Sequence, residues 1–200
     1  PQHVQDRLEE EAFMLGQVSH PHVPALIQFQ QIKRQSILVM ERASGADLEK
    51  VSLAIGPLPI EMLIKIACQL ADVLLVLRNN TTKQGLKPIV HGDIKPSNVV
   101  WDEAKQSVGL IDWGSSVYAQ LDEHGQHVGQ NVMDLMSGDL QQTNARLGDV
   151  YFIGDDQLNG ALSSPRFDEQ GLASTLYALA SGQSSRFGRH VIPPSALGLP

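Results

Sequence analysis

Two short polar loops on either side of an apolar stretch place the tightest constraint on how this chain can fold. The first loop, His91–Asn98, reads H-G-D-I-K-P-S-N, and the second, Asp112–Gly114, reads D-W-G. The apolar runs between them, Asn98–Trp101 and Ser107–Ile111, are separated by D-E-A-K-Q, which predicts a short pair of β-strands. We therefore expect the polar side chains to lie on loops that flank this strand pair.

These loops supply the groups that phosphoryl transfer requires. Transfer of a γ-phosphoryl group needs a carboxylate that accepts the proton of the attacking hydroxyl, a cation beside the phosphate, and oxygen ligands for Mg²⁺. The first loop offers Asp93 as the carboxylate and Lys95 as the cation. Asn98 and Asp112 offer the hard oxygen atoms that Mg²⁺ prefers. We therefore predict that ATP and Mg²⁺ are the cofactors, that Asp93 and Lys95 are catalytic, and that Asn98 and Asp112 bind the metal.

Both motifs resemble the catalytic loop and the metal-binding loop of protein kinases, H-R-D-x-K-x-x-N and D-F-G. The resemblance extends over almost the whole chain. Glu11 stands where the family has its helix-C glutamate, and S-I-L-V-M-E-R-A resembles the strand that leads into the hinge. The helix that begins near Ile60 resembles helix E, and F-D-E-Q-G-L-A-S-T-L-Y resembles helix F with Asp168 as its aspartate.

The resemblance implies nucleotide-binding roles for residues that precede the catalytic loop. In addition to Glu11, Met40 takes the gatekeeper position, Glu41 and Ala43 meet adenine through backbone groups, and Asp47 reaches the ribose. The residues alone leave two of these roles open, because Met40 also suits core packing and Asp47 also suits the cap of the following helix.

The resemblance further implies an apolar spine that joins two lobes. Its places are taken by Leu15, Leu26, His91 and Trp113, and Asp168 anchors it. Asp168 is equally suited to cap its own helix.

The implied fold is α+β, a truncated protein-kinase-like fold with two lobes. Residues 1–43 would form a remnant of the N-terminal lobe, from helix C to the hinge, and residues 44–200 an incomplete, mainly helical C-terminal lobe of the same single domain.

No G-x-G-x-x-G occurs, and no V-A-I-K lysine precedes Glu11. Gly92 replaces the arginine of H-R-D, and Gly154-Asp155-Asp156 stands where A-P-E is expected. We therefore expect this fragment to bind ATP weakly and to be inactive by itself.

Hydrophobic periodicity predicts three helices, one strand and one loop. They are helices over Val4–Val18, over about eighteen residues from Ile60, and over Asp168–Ala180, a strand over Ser36–Glu41, and a loop over Ser115–Leu147. The core-facing stripe of the second helix is predicted as Ile60, Leu63, Ile64, Ala67, Leu70, Ala71 and Leu74. Cys68, in the same helix, is expected to be buried.

Composition and charge disfavour binding of nucleic acid and a membrane span, and they favour a reducing compartment. The formal net charge of −7 disfavours nucleic acid, which binds clustered cations. The most apolar stretch, Ile60–Leu77, carries three charged residues and does not predict a membrane span. The single cysteine favours a reducing compartment and hence a cytoplasmic location.

Three functions remain open from the sequence. The first is a serine/threonine protein kinase with an unknown protein substrate, because Lys95-Pro96 after Asp93 resembles the serine/threonine version of the loop. The second is a small-molecule phosphotransferase, since H-G-D and I-D-W-G also resemble the aminoglycoside and choline phosphotransferases. The third is a pseudokinase that acts as an interaction module.

Overall fold

The computed structural model describes residues 2–33, 35–120 and 148–185. The helices are α1 (Gln2–Gly16), α2 (Leu48–Ile55), α3 (Ile60–Arg78), α4 (Asp155–Leu158) and α5 (Pro165–Ser181). The strands are β1 (Leu26–Ile32), β2 (Gln35–Met40), β3 (Ala46–Asp47), β4 (Thr81–Thr82), β5 (Gly85–Leu86), β6 (Ile89–Val90), β7 (Val99–Asp102), β8 (Ser107–Leu110) and β9 (Val117–Tyr118). A 3₁₀ turn, Pro96–Asn98, leads into β7.

The N-terminal helix packs on a two-stranded antiparallel sheet. α1 buries Ala12 and Leu15 and ends at Gly16, two residues before the predicted end at Val18. β1 pairs with β2, and Leu26 lies opposite Met40 in the register. The strand β2 confirms the prediction over Ser36–Glu41 within one residue, whereas β1 was not predicted.

The predicted strand pair is present as the hairpin β7–β8 and lies in a three-stranded sheet of order β3-β7-β8. The outer edge of β8 contacts α3 and the loop that follows α1. The Gln69 side chain accepts from Val108 N at 2.8 Å and donates to Gln106 O at 2.9 Å. His22 O accepts from Leu110 N at 2.8 Å, and His22 Nδ1 lies 2.9 Å from Val108 O. These bonds fix the hairpin, and with it the two polar loops, to the rest of the fold.

The buried side of α3 differs from the predicted stripe. The buried residues are Leu63, Ile66, Leu70, Val73 and Leu77. Ile60 and Ile64 were predicted to face the core, but they are 68% and 55% exposed. Cys68 is exposed as well, so the expectation that it is buried was wrong. The physical reason is that α3 carries apolar side chains around most of its circumference, so periodicity alone does not define the side that packs on its neighbours.

α5 packs against α3 and begins three residues before the predicted start. Ser164 caps it by accepting a hydrogen bond from Arg166 N at 3.3 Å, and Gly182 ends it with a φ of 78°. The interpretation of Asp168 as the N-cap was therefore wrong, since Asp168 lies inside the first turn.

One core cluster connects α1, α3, the hairpin and α5. The predicted loop over Ser115–Leu147 contains β9, which pairs with β6, and residues 121–147 of it lie outside the described residues. No helix among the described residues has the length and apolarity needed to cross a membrane.

Candidate phosphoryl-transfer site

A buried carboxylate on α5 fixes the start of the catalytic loop. Asp168 Oδ2 accepts from His91 N at 2.7 Å, and Asp168 Oδ1 accepts from Gly92 N at 2.8 Å. Gly92 has a φ of 84°, which glycine adopts without the steric cost that a side chain brings. Burial raises the pKa of Asp168 to about 7, against the opposing effect of the two backbone hydrogen bonds.

The His91 ring connects the loop to the D-W-G segment. It is fully buried and packs edge-on against Trp113, with the ring centroids 4.9 Å apart. His91 Nε2 lies 3.1 Å from Ile111 O. Because a carbonyl oxygen only accepts, Nε2 carries the proton, and Nδ1 is free to accept from Asp93 N at 3.3 Å. Burial also lowers the pKa of His91, which keeps the ring neutral.

The carboxylate of Asp93 has three hydrogen-bonding or ionic partners. Its Oδ2 lies 3.1 Å from Asn98 Nδ2 and 3.2 Å from Lys95 Nζ, and its Oδ1 accepts from Asp149 N at 2.9 Å. The side chain retains 13% exposure. An ionised carboxylate offers about four lone-pair positions, so one position remains for an incoming hydroxyl group.

Asp149 is a site residue that sequence analysis missed. Its Oδ2 lies 3.6 Å from Lys95 Nζ, so Lys95 contacts two carboxylates. The close approach of this segment depends on Gly148, because a Cβ there would lie 2.5 Å from Gly92 O. The Gln157 side chain adds a second link by donating to the same Gly92 O at 2.7 Å. The signal in the sequence was the Gly148-Asp149 pair a few residues before Gly154-Asp155-Asp156.

Asn98 and Asp112 are brought to the same end of the hairpin, because Ile111 N donates to Asn98 O at 2.9 Å. Asn98 Nδ2 donates to Asp93 O at 2.9 Å, which orients the amide and leaves its Oδ1 as the atom suited to a cation. Asp112 is exposed and has a φ of 60°, in the left-handed region. One carboxylate and one amide oxygen are a donor set that fits Mg²⁺ shared with substrate phosphates.

Glu11 reaches the D-W-G segment from α1. A Cβ on Gly114 would lie 3.6 Å from Glu11 Oε2 and 3.4 Å from Asp112 Oδ1. These are ordinary van der Waals distances, so both carboxylates lie close to Gly114 without a steric demand for glycine. Glu11 and Asp112 thus both lie near Gly114, and the predicted role of Glu11 at the nucleotide remains a prediction.

The predicted hinge residues Glu41 and Ala43 contact the residue before β1 and the strand β8, respectively. Met40 packs against the core cluster, in line with the packing alternative. Glu41 N donates to Ala25 O at 2.9 Å, and its carboxylate accepts from Ala25 N at 3.1 Å. Ala43 packs so tightly on β8 that a Cβ at Gly109 would lie 2.9 Å from the Ala43 Cβ.

A cavity of about 240 Å³ lies against the hinge. Glu41, Ala43 and His22 are among the residues that line it, but Asp93 and Asp112 are not. The predicted contacts with adenine remain a prediction.

Asp47 caps α2, so the capping alternative is confirmed. Its Oδ1 accepts from Lys50 N at 2.9 Å, and its Oδ2 lies 2.8 Å from Lys50 Nζ. Burial opposes ionisation of Asp47, but the hydrogen bonds and charge of Lys50 outweigh it and lower the pKa of Asp47. A role at the ribose is compatible with this cap and remains a prediction.

The fold is that of a protein-kinase-like domain. The structure is similar to that of the Cydia pomonella granulovirus kinase, with a TM-score of 0.61, 18% sequence identity, and coverage of 90% of this chain and 56% of that one. The model of the family described as protein kinase domain matches residues 2–187, and the chain belongs to this family. The predicted α+β kinase-like fold is thereby confirmed.

Among curated proteins, the chain is similar to bacterial serine/threonine kinases. A probable serine/threonine-protein kinase of Lactococcus lactis is 23% identical over 88% of this chain and 24% of its own length. A serine/threonine-protein kinase of Mycobacterium leprae is 25% identical over 94% of this chain and 29% of its own length. The chain thus spans about a quarter of the length of these relatives.

Proposed function

We propose that the protein carrying this chain is a serine/threonine protein kinase that transfers the γ-phosphoryl group of ATP to protein hydroxyl groups. The observation that carries the proposal is the arrangement around Asp93, whose carboxylate is held by Asn98, Lys95 and Asp149 N and retains a position for one more donor. The similarity to serine/threonine kinases supports proteins as the substrate class.

The four residues predicted as catalytic or metal-binding each have a role in this reaction. Asp93 orients the acceptor hydroxyl and accepts its proton. Lys95 supplies the positive charge beside the transferred phosphoryl group, and Asn98 and Asp112 hold Mg²⁺ through oxygen atoms. Mg²⁺–ATP, when bound, supplies the phosphoryl group and offsets the negative charge that develops during its transfer.

The remaining predicted residues act at the nucleotide. Glu41 and Ala43 meet adenine through backbone groups beside Met40, and Asp47 reaches the ribose. Glu11 acts from α1, where its carboxylate lies near the metal-binding loop.

Three further statements belong to this proposal. Residues 1–43 form the N-terminal part of a single kinase domain, and residues 44–200 its helical part. ATP and Mg²⁺ are the cofactors. The location is cytoplasmic, which is supported by the use of a single cysteine.

Replacing Asp93 by Asn in the full-length protein tests the proposal. The variant should lose transfer of labelled phosphate to protein by at least about a hundredfold, because the amide cannot accept the proton. Nucleotide affinity should be retained, since Asn keeps the shape of the side chain. The matched control is Asp72→Asn, which removes one exposed carboxylate from α3 and should leave the transfer rate unchanged.

Two outcomes would contradict the proposal. Undiminished transfer by Asp93→Asn would remove the assigned base. Phosphate found on choline or an aminoglycoside, and on no protein, would assign the site to small-molecule phosphotransfer.

A further inference from the structure

Asp149 is held beside the proposed catalytic residues, but the proposed function gives its carboxylate no role. Its backbone N–H donates to Asp93 Oδ1 at 2.9 Å, so this residue lies directly next to the carboxylate that meets the acceptor hydroxyl. Its Oδ1 accepts from Tyr151 N at 3.0 Å, and its Oδ2 lies 3.6 Å from Lys95 Nζ. These contacts fix the carboxylate at the edge of the acceptor site.

Two carboxylates contact the single ammonium group of Lys95, so the negative and positive charges around it are unequal in number. Asp93 and Asp149 share one ammonium group, that of Lys95, at 3.2 and 3.6 Å. Within the part of the chain that the structure describes, Lys95 is the one basic side chain that forms an ion pair with Asp149. Asp149 and Lys95 each retain 22% exposure, so both are accessible to an incoming ligand.

The role proposed for Lys95, a contact with the transferred phosphoryl group, competes with its contact to Asp149. Lys95 Nζ lies 3.2 Å from Asp93 and 3.6 Å from Asp149, so the contact with Asp149 is the longer one and would be the first to be lost if the ammonium group turned to the transferred phosphoryl group. Asp149 Oδ2 would then be without its ammonium partner. A partly buried carboxylate in that state favours a cation and repels an anion.

We infer that Asp149 is a specificity residue that selects acceptor segments carrying an arginine or lysine side chain next to the hydroxyl that is phosphorylated. This inference rests on the proposed function, because the exchange of partners requires Lys95 to serve the phosphate. Arginine suits the place best, since its planar fork can bind both oxygens of a carboxylate.

A set of peptides tests the inference on the full-length protein. The peptides share one sequence with a central serine and carry Arg, Gln or Glu beside it. Wild-type protein should show a KM about tenfold lower for the Arg peptide than for the Gln peptide, the size expected of one charge-assisted hydrogen bond. Asp149→Asn, which removes the charge but keeps the shape, should abolish this difference by raising the KM of the Arg peptide. Asp156→Asn, which removes an exposed carboxylate of α4, should keep the difference.

Peptide binding without turnover separates this inference from the proposed function. Fluorescence anisotropy of the labelled peptides is measured with and without Mg²⁺ and a non-hydrolysable ATP analogue. The preference for the Arg peptide should be several-fold larger with the nucleotide, because Lys95 then leaves Asp149, and it should be lost in Asp149→Asn.

The outcomes are distinct. A preference in binding that depends on Asp149, without any transfer to protein, would support only the selection of cationic segments by Asp149 and would overturn both the proposed function and the link of this selection to phosphorylation. Equal preference in wild type and Asp149→Asn would overturn the inference. A kcat that falls equally for all three peptides in Asp149→Asn, with the KM ratio unchanged, would also overturn it, because it would show a purely positioning role.

Discussion

At the scale of single residues, Asp168 determines where the catalytic loop begins. Its two carboxylate oxygens accept from His91 N and Gly92 N, two successive backbone donors just before Asp93. The side chain is buried, so both donors would be left without partners if it were removed. The position of Asp93 therefore depends on a carboxylate that lies far from it in the sequence.

We predict that Asp168→Asn lowers the free energy of unfolding at pH 5 by about 1 to 3 kcal/mol, because the amide NH2 group cannot accept a hydrogen bond and leaves one buried N–H unsatisfied, whereas the hydroxyl oxygen of the protonated acid still accepts. The loss in free energy of unfolding caused by Asp168→Asn should become smaller as pH rises. Burial raises the pKa of Asp168 from its usual 3.8 to about 7 in the folded state. The stability contributed by its protonated form is complete below pH 3.8 and is lost as pH rises through about 7.

Urea unfolding of both proteins between pH 4 and 8 measures this effect as a difference. The comparison removes the contribution of His91, whose lowered pKa acts in the opposite direction and favours the folded state above pH 6.5. A difference in stability that grows with pH would contradict the prediction.

The sequence identified the residues whose types carry phosphoryl-transfer chemistry in one short loop, because Asp93, Lys95 and Asn98 need no information from elsewhere. Asp149 was not predicted as a site residue, since its partner Lys95 is distant in the sequence. The two meet through the close approach of Gly148 to Gly92. A single aspartate in a sequence does not indicate which residues it contacts in the fold. Only the fold reveals that Asp149 lies beside Asp93.

At the scale of secondary-structure elements, α3 shows the limit of periodicity. Its bounds, Ile60–Arg78, agree with a predicted helix of about eighteen residues, but its buried side is rotated relative to the predicted stripe. Leu63 and Leu70 are common to both, whereas Ile66 is buried and Ile64 is exposed. A helix that is apolar nearly all round takes its orientation from the elements packed on it, in this case α5 and the β7–β8 hairpin.

The same substitution at two positions of α3 tests this orientation. Ile66→Ala should lower the free energy of unfolding by about 2 to 5 kcal/mol, because it leaves a cavity in the core. Ile64→Ala should change it by less than about 1 kcal/mol, since that side chain is largely in solvent. Chemical denaturation measures both values, and a larger cost at Ile64 than at Ile66 would show that the predicted stripe was right.

Strands were predicted where their signal is local. The β7–β8 hairpin was found because two apolar runs flank the mainly polar segment D-E-A-K-Q, and β2 because S-I-L-V-M is β-branched and apolar. The two-residue strands β6 and β9 are too short to show a pattern, and they pair across a long separation in the sequence. Their pairing depends on the tertiary fold.

At the scale of the whole molecule, one core cluster holds side chains from the N-terminal helix, the hairpin and both long helices. Trp101 on β7 and Trp113 after β8 both belong to it. Since these parts share one cluster, the described parts of the chain should unfold together.

Single-tryptophan variants test this cooperativity. In Trp101→Phe the remaining fluorescence reports on Trp113, and in Trp113→Phe it reports on Trp101. Within each variant, the urea midpoint from fluorescence should agree with the midpoint from far-ultraviolet circular dichroism. A fluorescence transition of either tryptophan that precedes the loss of helicity would contradict cooperative unfolding.

The order of motifs along the chain was sufficient to predict the overall fold, because each motif occupies a fixed place in the family. It was insufficient to show how residues 148–157 lie on the catalytic loop. That contact depends on Gln157 and Gly148 meeting Gly92, two long-range contacts that no pattern within either segment encodes.

The bonds that Gln69 and His22 form along the outer side of β8 have a consequence for association between molecules. An unpaired strand edge is a template on which a second chain can add its own strand, which is a common route to aggregation. Here the side-chain amide of Gln69 occupies Val108 N and Gln106 O as a neighbouring peptide group would, and His22 occupies Val108 O and Leu110 N. The hairpin that carries the candidate site is thereby closed to strand addition without the need for another strand.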